Sequence, residues 1–343
     1  KDVAGNAAEG DSIRVLVLAG VDSISIKGAS NGGDLDIRRE GEGFTMNGAP
    51  RALPVRLDPE GEFIYLNDRP YRGSLEVLPD GAGLMVVDEL PLESYLVGII
   101  NTEISSKWPV ESIKAQAVVA RTYAIFVRAK KKQGPYDIEG SVLGQVYAGA
   151  AAEDGAAMKA VRETAGEILV YGDEPALTVY HSNAGGMTDS AKDVWQSDYP
   201  YLRPVKSPYD EAAPRFFWEF SIAKKAFGEK LKGAGFDMAG PESIEPVTTT
   251  PSGRHKALVI RDNKGGRVFL TGEDLRRALG YSVLRSTRFE VERKGDSFFF
   301  NGKGSGHGVG LSQWGAKGMA EDGYGYREIL EHYYPGTELR KAY

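Results

Sequence analysis

Residues 91–103 read PLESYLVGIINTE, and this stretch decides how the centre of the chain folds. Its apolar residues Leu92, Leu96 and Ile99 recur at spacings of four and three, which places them on one stripe of a helix. Glu103 follows at the next helical spacing on the same stripe. The pattern therefore predicts a helix whose buried stripe ends in a carboxyl group.

A carboxyl group at Glu103 is a candidate for acid–base chemistry. Apolar surroundings oppose ionisation, so such a group can keep a proton near neutral pH, as acid catalysis of glycoside cleavage requires. The spacing leaves other interpretations open: Glu103 ends the helix, turns to water, or pairs with Arg121. Lys114, Arg121 and Arg128 form a stripe of their own, which predicts a solvated helix face.

The rest of the chain predicts an α+β fold. Residues 1–10 are small and polar, which is typical of a disordered N-terminus. Residues 11–90 form a β-rich region, and residues 91–343 carry the helices, with a mixed α/β insertion at about 211–300. We expect a strand-rich N-terminal part, a helical catalytic segment and a mixed β-rich C-terminal part around one groove.

Proline and glycine residues mark further element boundaries. Pro91 and Pro109 each suit the first position of a helix, where the missing N–H has no helical partner. We expect these two helices to pack together, because each has an apolar stripe that needs cover. Strands are predicted at residues 71–77 and 177–180.

Composition excludes several classes of protein. The chain has 343 residues, 41% of them hydrophobic, so it can bury a substantial core. A net charge of −6 does not favour nucleic acid or anionic lipid as a partner. There is no cysteine, which excludes disulfides, thiolate metal sites and cysteine nucleophiles. The sequence has no run of 18 apolar residues, so it predicts no membrane span.

The densest motif is GKGSGHGVGLSQWG at residues 302–315. Alternate glycines cost conformational entropy, so they fit a place where the backbone closely approaches a ligand or another segment. The spacing is neither a dinucleotide fingerprint nor a nucleophile elbow. His307 could bind substrate, transfer protons or hold a tight loop, and Trp314 could stack on a sugar or lie in the core.

A second motif, YHSNAGGMTD, covers residues 180–189. A strand that runs into a small polar turn is a favourable place for a functional site. His181, Asp189 and Asp193 could suggest a metal, but they lack the spacing of a known ligand pair. A serine triad built on Ser182 or Ser312 has no supporting spacing either. We therefore expect no metal and no cofactor.

At these motifs the chain resembles the SpoIID/LytB family of bacterial cell-wall proteins. The matching blocks are residues 91–103, residues 108–124 (WPVESIKAQAVVARTYA), residues 145–149 (QVYAG), residues 182–186 (SNAGG), residues 306–316 (GHGVGLSQWGA) and residues 333–337 (YYPGT). They occur in order over roughly 75–340. Some sporulation members carry cysteine ligands for zinc, which this chain cannot supply.

The resemblance implies an extracytoplasmic lytic transglycosylase that cuts peptidoglycan glycan strands between N-acetylmuramic acid and N-acetylglucosamine and leaves a 1,6-anhydro end. The family's catalytic glutamate falls on Glu103. The residues that the resemblance places in the substrate groove are Gln145, Tyr147, Ser182, Thr188, His307 and Gln313. A cell-wall amidase is an implied partner.

Two alternatives stay open. The chain could be a non-catalytic module that holds glycan and enhances a partner amidase. It could also hydrolyse the glycan, which needs a second carboxylate to activate water or attack the sugar. Asp189 and Asp193 are the candidates for that second group.

Overall fold

A computed structural model describes residues 11–30, 33–81, 83–131, 133–141, 144–238 and 240–343. The predicted disordered segment, residues 1–10, lies outside these ranges. Helices and strands are both well represented, so the predicted α+β class is confirmed. No helix in the described ranges is long and apolar enough to cross a membrane.

The described residues form 24 β-strands and eight α-helices. The strands are β1 (Ser12–Val21), β2 (Ser23–Ala29), β3 (Gly33–Glu40), β4 (Gly43–Met46), β5 (Ala49–Pro50), β6 (Val55–Leu57), β7 (Ile64–Leu66), β8 (Arg69–Tyr71), β9 (Ser74–Asp80), β10 (Gly83–Pro91), β11 (Ile138–Glu139), β12 (Glu167–Tyr171), β13 (Glu174–Pro175), β14 (Tyr180–His181), β15 (Gly186–Met187), β16 (Lys206–Ser207), β17 (Phe217–Ala223), β18 (Pro241–Thr249), β19 (His255–Asp262), β20 (Arg267–Thr271), β21 (Phe289–Lys294), β22 (Ser297–Lys303), β23 (Leu311–Ser312) and β24 (Glu338–Lys341). The helices are α1 (Leu92–Glu103), α2 (Val110–Lys130), α3 (Gly155–Glu163), α4 (Ala191–Trp195), α5 (Lys224–Gly233), α6 (Gly272–Leu279), α7 (Gln313–Glu321) and α8 (Tyr326–Tyr333).

The chain divides into two compact units. The first unit is Lys1–Leu177 together with Glu338–Tyr343, and the second unit is Thr178–Thr337. Strand β24 belongs to the first unit because it pairs antiparallel with β12, Leu339 opposite Leu169. In the sequence, the second unit is therefore one continuous segment inserted between the two parts of the first.

The first unit is built on two sheets and three helices. A five-stranded sheet has the order β11-β1-β10-β9-β6, and a six-stranded sheet has the order β5-β4-β3-β2-β7-β8. Helices α1 and α2 contact each other and share one hydrophobic core with strands of both sheets. Pro91 and Pro109 are the N-caps of these helices, so the predicted starts hold to within one residue.

The second unit contains several small sheets. Two three-stranded sheets, β17-β22-β21 and β18-β19-β20, share a core with helices α5 and α6. The motifs at residues 180–189 and 302–315 are joined by a separate two-stranded parallel sheet, β14 with β23. That pair brings the two polar motifs of the sequence side by side, with His181 opposite Ser312.

Two predicted strands differ from the structure. Residues 71–77 are not one strand, because β8 ends at Tyr71 and β9 begins at Ser74. Between them, Gly73 packs so closely against Asp88 that a Cβ there would lie 2.2 Å from Asp88 Oδ1. In residues 177–180, only Tyr180 lies in a strand. The carbonyl of Val179 instead accepts hydrogen bonds from the Tyr334 hydroxyl and the Leu311 N–H, at 2.7 and 3.3 Å.

Candidate active site

Glu103 is the last residue of α1 and is half-buried. Its Oε1 accepts a hydrogen bond from the backbone N–H of Val146 at 3.0 Å. A carboxylate oxygen fixed in this way has a defined direction. The expected end of the buried stripe is thus a carboxyl group that is oriented by the protein and still reaches solvent.

Two tyrosines lie within the electrostatic reach of Glu103. Burial raises the pKa of Tyr95 and of Tyr123, and the negative charge of Glu103 raises both further. Both hydroxyls therefore stay protonated near neutral pH. The Tyr95 hydroxyl is committed to Gln145 Oε1 at 2.9 Å. Tyr123 is only half-buried, and the sequence analysis singled out neither tyrosine.

The turn after Glu103 is also fixed. Asn101 donates to the carbonyl of Ala152 at 2.8 Å and to the carboxylate of Asp154 at 2.9 Å, and it accepts from the Ser106 N–H at 2.9 Å. Asp154 caps α3 by accepting from the Ala157 N–H. The C-terminal end of α1 is thereby tied to the start of another helix.

Arg121 does not pair with Glu103. Its guanidinium is fully buried and makes two hydrogen bonds of 2.7 Å to the carboxylate of Glu93. It also donates to the carbonyl of Glu167 at 3.0 Å. The prediction that Lys114, Arg121 and Arg128 form a solvated face is therefore wrong for Arg121, because the bidentate partner makes its burial tolerable.

Gln145 and Tyr147 flank Val146, which brings both close to Glu103. Their side chains are buried, 1% and 7% exposed, and both make hydrogen bonds inside the protein. The Tyr147 hydroxyl donates to Asp88 Oδ2 at 2.8 Å. Their role as groove residues stays a prediction, and this burial favours a role in shaping the site.

Asp88 is a fully buried carboxyl group that the sequence analysis did not identify. Burial raises its pKa to about 7, and the hydrogen bond from Tyr147 counteracts part of that shift. The signal was available in β10, where residues 83–91 read GLMVVDELP. An aspartate inside an apolar strand needs a partner, because an unpaired buried charge is costly.

In the second unit, the glycine motif forms a tight loop around Arg254. Gly308 has φ of +82°, and a Cβ there would lie 2.4 Å from Arg254 Nε. Gly310 has φ of +69°, and a Cβ there would lie 2.1 Å from the carbonyl of Val179. The alternate glycines therefore satisfy close packing inside the protein, as the sequence suggested they could.

Arg254 is the buried centre of this region. Its guanidinium donates to the carbonyl of Ala184 at 2.8 Å and lies 3.2 Å from the carboxylate of Asp189. Burial lowers the pKa of Arg254 to about 10, and the charge of Asp189 opposes this shift. The side chain thus links the turn at residues 182–188 to the glycine loop.

His307 is oriented by the backbone on both of its ring nitrogens. Nε2 donates to the carbonyl of Tyr180 at 2.9 Å, and Nδ1 accepts from the Val309 N–H at 3.1 Å. Burial lowers the pKa of His307 to about 3, so the ring is neutral. This arrangement favours the loop-holding interpretation over proton transfer. Trp195, 40% exposed, packs on the ring with centroids 4.9 Å apart.

The neighbouring His181 is buried and also neutral. Nδ1 donates to the carbonyl of Val309 at 3.1 Å, and burial lowers the pKa well below its usual value, with the charge of Arg254 adding to the effect. Nε2 has no hydrogen-bond partner among the described groups. His181 therefore contributes to the same packed cluster as His307.

The other predicted groove residues lie around this loop. Ser182 is half-buried, and its carbonyl accepts from the Trp314 N–H at 3.0 Å. Thr188 is buried and accepts from the Val205 N–H at 2.8 Å. Gln313 is buried at the first position of α7. Their contact with glycan stays a prediction, as does the placement of this loop and Glu103 on one groove.

Neither candidate for a second carboxylate has the surroundings of a water-activating base. Asp189 is fully buried and is held by Arg254 and by the Ser252 hydroxyl at 2.7 Å. Asp193 pairs with Lys256 at 3.1 Å and with the Ser190 hydroxyl at 2.8 Å. These contacts do not favour the hydrolytic alternative.

Comparisons with known proteins match two family models to the chain. The stage II sporulation protein family, SpoIID, matches residues 80–171, which include Glu103 and residues 145–147. A domain of unknown function, DUF8618, matches residues 204–310, which include Arg254 and much of the glycine loop. Each cluster thus lies within or beside a recognised sequence domain.

Relatives cover most of the chain. A stage II sporulation protein D of Bacillus amyloliquefaciens is 32% identical over 75% of this chain and 76% of its own length. An uncharacterized protein of Brachyspira hyodysenteriae is 34% identical over 80% of this chain and 73% of its own length. The amidase enhancer of Bacillus subtilis is 29% identical over 71% of this chain and 40% of its own length. The chain belongs to the SpoIID/LytB family, and its function is related to the cell wall.

Proposed function

We propose that the protein is a lytic transglycosylase that cleaves peptidoglycan glycan strands between N-acetylmuramic acid and N-acetylglucosamine. One observation carries the proposal: Glu103 is a half-buried carboxyl group at a helix end, oriented by the Val146 N–H. A single carboxyl group is sufficient for this reaction, because the sugar supplies its own nucleophile. The cell-wall character of the family supplies the substrate class.

The reaction uses Glu103 twice. As the acid, it donates its proton to the bridging oxygen while the bond from that oxygen to C1 of N-acetylmuramic acid breaks. The ionised carboxylate then accepts the proton of the sugar's 6-hydroxyl, whose oxygen closes on C1. The products are a free 4-hydroxyl on N-acetylglucosamine and a 1,6-anhydro end, and no water is consumed.

The surroundings of Glu103 fit this double role. The Val146 N–H fixes the carboxylate that forms after the first proton transfer. The neutral hydroxyl of Tyr123 lies close enough for its pKa to respond to the charge of Glu103, and it can donate a hydrogen bond to the sugar or to the carboxylate.

The second unit offers groups suited to the rings and hydroxyls of sugars. Ser182 is half-buried and carries a hydroxyl group. The exposed indole of Trp195 packs against His307, whose ring is held by two hydrogen bonds to the backbone. Sugars have hydrogen-bonding edges and apolar faces, which such groups can bind without charge. We propose that this region holds the glycan outside the cytoplasm, where peptidoglycan lies.

The test is to replace Glu103 by Gln. The amide keeps the size of the side chain but cannot deliver a proton, so turnover should fall by about 10²–10⁴ while the melting temperature stays the same. Purified glycan strands are digested, and 1,6-anhydro ends are measured by mass spectrometry. Glu60→Gln, an exposed glutamate in the same unit, is the control and should keep full activity. Anhydro ends formed at the wild-type rate by Glu103→Gln would refute the proposal.

The amidase enhancer among the relatives favours a second candidate function. In that case the chain holds glycan for a cell-wall amidase and performs no cleavage. The two functions differ in one assay, in which wild type and Glu103→Gln are each added to a purified amidase acting on peptidoglycan. Equal stimulation by both proteins, with no anhydro ends from either, would establish the enhancer and exclude the transglycosylase.

A further inference from the structure

Residues 145–147 make hydrogen bonds to three elements of the first unit, namely α1, α2 and β10. The side chain of Gln145 accepts from Tyr95 of α1 and donates to the carbonyl of Ala120 of α2, at 2.9 and 3.3 Å. The N–H of Val146 binds Glu103. The Tyr147 hydroxyl donates to Asp88 of β10. Four polar groups of this three-residue segment therefore have hydrogen-bond partners: the amide oxygen and nitrogen of Gln145, the N–H of Val146 and the hydroxyl of Tyr147.

The anchor of this segment is the hydrogen bond from Tyr147 to Asp88. Asp88 is fully buried in β10, and its Oδ1 packs so closely against Gly73 that a Cβ on that glycine would lie 2.2 Å away. The ring of Tyr147 packs against Tyr95, with centroids 5.2 Å apart, and leaves no room for a Cβ on Gly98, which would lie 2.6 Å away. Tyr147 is therefore closely packed between Tyr95 and Gly98.

We infer that residues 145–147 are a positioning clamp for Glu103, and that the buried pair of Asp88 and Tyr147 holds the clamp in register. Asp88 and Tyr147 are positioning residues, because they act on the reaction through the Val146 N–H. The inference rests on the proposed function. It also gives Gln145 and Tyr147 a role that agrees with their burial, which contact with glycan does not.

The physical reason is the direction of one carboxylate oxygen. The Val146 N–H can orient Glu103 only while its own peptide plane is fixed. That plane is fixed on one side by Gln145 and on the other by Tyr147. Thr102 also donates from α1 to the carbonyl of Val146. A small displacement of a reacting group can cost up to about 100-fold in rate.

The test is Tyr147→Phe, which removes the hydroxyl and keeps the ring. We expect kcat on a soluble glycan of defined length to fall about 10-fold, with KM unchanged within about twofold. Tyr71→Phe is the matched control, because it removes the hydroxyl of a buried ring that also packs against Tyr147, with centroids 5.9 Å apart. It should leave both constants unchanged. Tyr95→Phe, which frees Gln145, should lower kcat in the same way and serves if Tyr147→Phe does not fold.

Combination with Glu103→Gln separates positioning from a general structural effect. If the clamp acts through Glu103, the double variant Glu103→Gln with Tyr147→Phe should be no slower than Glu103→Gln alone. Losses that multiply, or a Tyr147→Phe variant with wild-type kcat beside an inactive Glu103→Gln, would overturn the inference and leave the proposed function standing. Full turnover by Glu103→Gln would overturn both.

Discussion

The guanidinium of Arg121 is fully buried, and its charge is balanced by one carboxylate. Glu93 meets it with two hydrogen bonds of 2.7 Å while remaining 20% exposed itself. Burial alone would raise the pKa of Glu93, but the hydrogen bonds and charge of Arg121 lower it below its ordinary value of 4.5 overall. Glu93 precedes Tyr95 and Glu103 in the same helix, so this pair also fixes the start of α1.

Replacing Glu93 by Ala should destabilise the protein by about 3 kcal/mol at neutral pH, because Arg121 would be left buried without a counter-charge. The contribution is fully present above the unfolded pKa of 4.5 and is lost as the pH falls through the lower folded pKa. Chemical denaturation between about pH 7 and pH 3 should therefore show the two proteins converging in stability at low pH. Asp198→Ala breaks an exposed pair with Lys192 and should change nothing measurable. A destabilisation independent of pH would contradict this account.

At the scale of elements, the loop at residues 304–310 depends on glycine for packing. Gly308 has a left-handed backbone conformation, and Gly308→Ala would place a methyl group 2.4 Å from Arg254 Nε. The conformation alone costs about 1–2 kcal/mol, and the collision adds to it. We expect a loss of more than about 2 kcal/mol in unfolding free energy, measured by denaturant titration.

Gly233→Ala is the matched control for that change. Gly233 is the last residue of α5, and a Cβ there would meet nothing within 4 Å. Alanine should keep or increase stability by up to about 1 kcal/mol, because it restricts the unfolded chain. A Gly308→Ala protein as stable as Gly233→Ala would show that the loop adapts and that Arg254 does not define it.

The elements that the sequence predicted well have local causes. Pro91, Pro109 and the apolar stripe of α1 act within a few residues of themselves, so the helix starts are correct to within one residue. The misses have distant causes. Gly73, between β8 and β9, packs closely against Asp88 of another strand, and the burial of Arg121 depends on Glu93, 28 residues away in the chain. No local pattern contains such a contact.

The same division holds for the candidate site. Glu103 was identifiable because its stripe lies in one helix. The clamp at residues 145–147 was identified only as part of a family motif, since its partners Asp88 and Tyr95 come from separate elements. His307 was identified as important, but its bonds to Tyr180 and Val309 depend on the parallel pairing of β14 with β23.

At the scale of the whole molecule, the two units carry different parts of the proposed function. The first unit holds Glu103 and its clamp, and the second unit holds His307 and Trp195. The second unit begins and ends at connections to the first, at Leu177 and Glu338. We predict that the second unit contributes to the binding of glycan, so a change confined to it should alter the cleavage that Glu103 performs.

Trp195→Ala tests this prediction better than a change of His307, because Trp195 is exposed while His307 supports the loop. Loss of one stacking contact is worth roughly 0.5–1.5 kcal/mol, so KM for cleavage should rise roughly 2- to 10-fold with kcat unchanged. Phe269→Ala, a more exposed aromatic of the second unit on β20, 66% against 40% for Trp195, should leave both constants unaltered. The affinity of Glu103→Gln for the same glycan should weaken by the same factor when Trp195→Ala is added. If affinity falls and KM does not, Trp195 binds glycan at a site separate from the one where Glu103 acts.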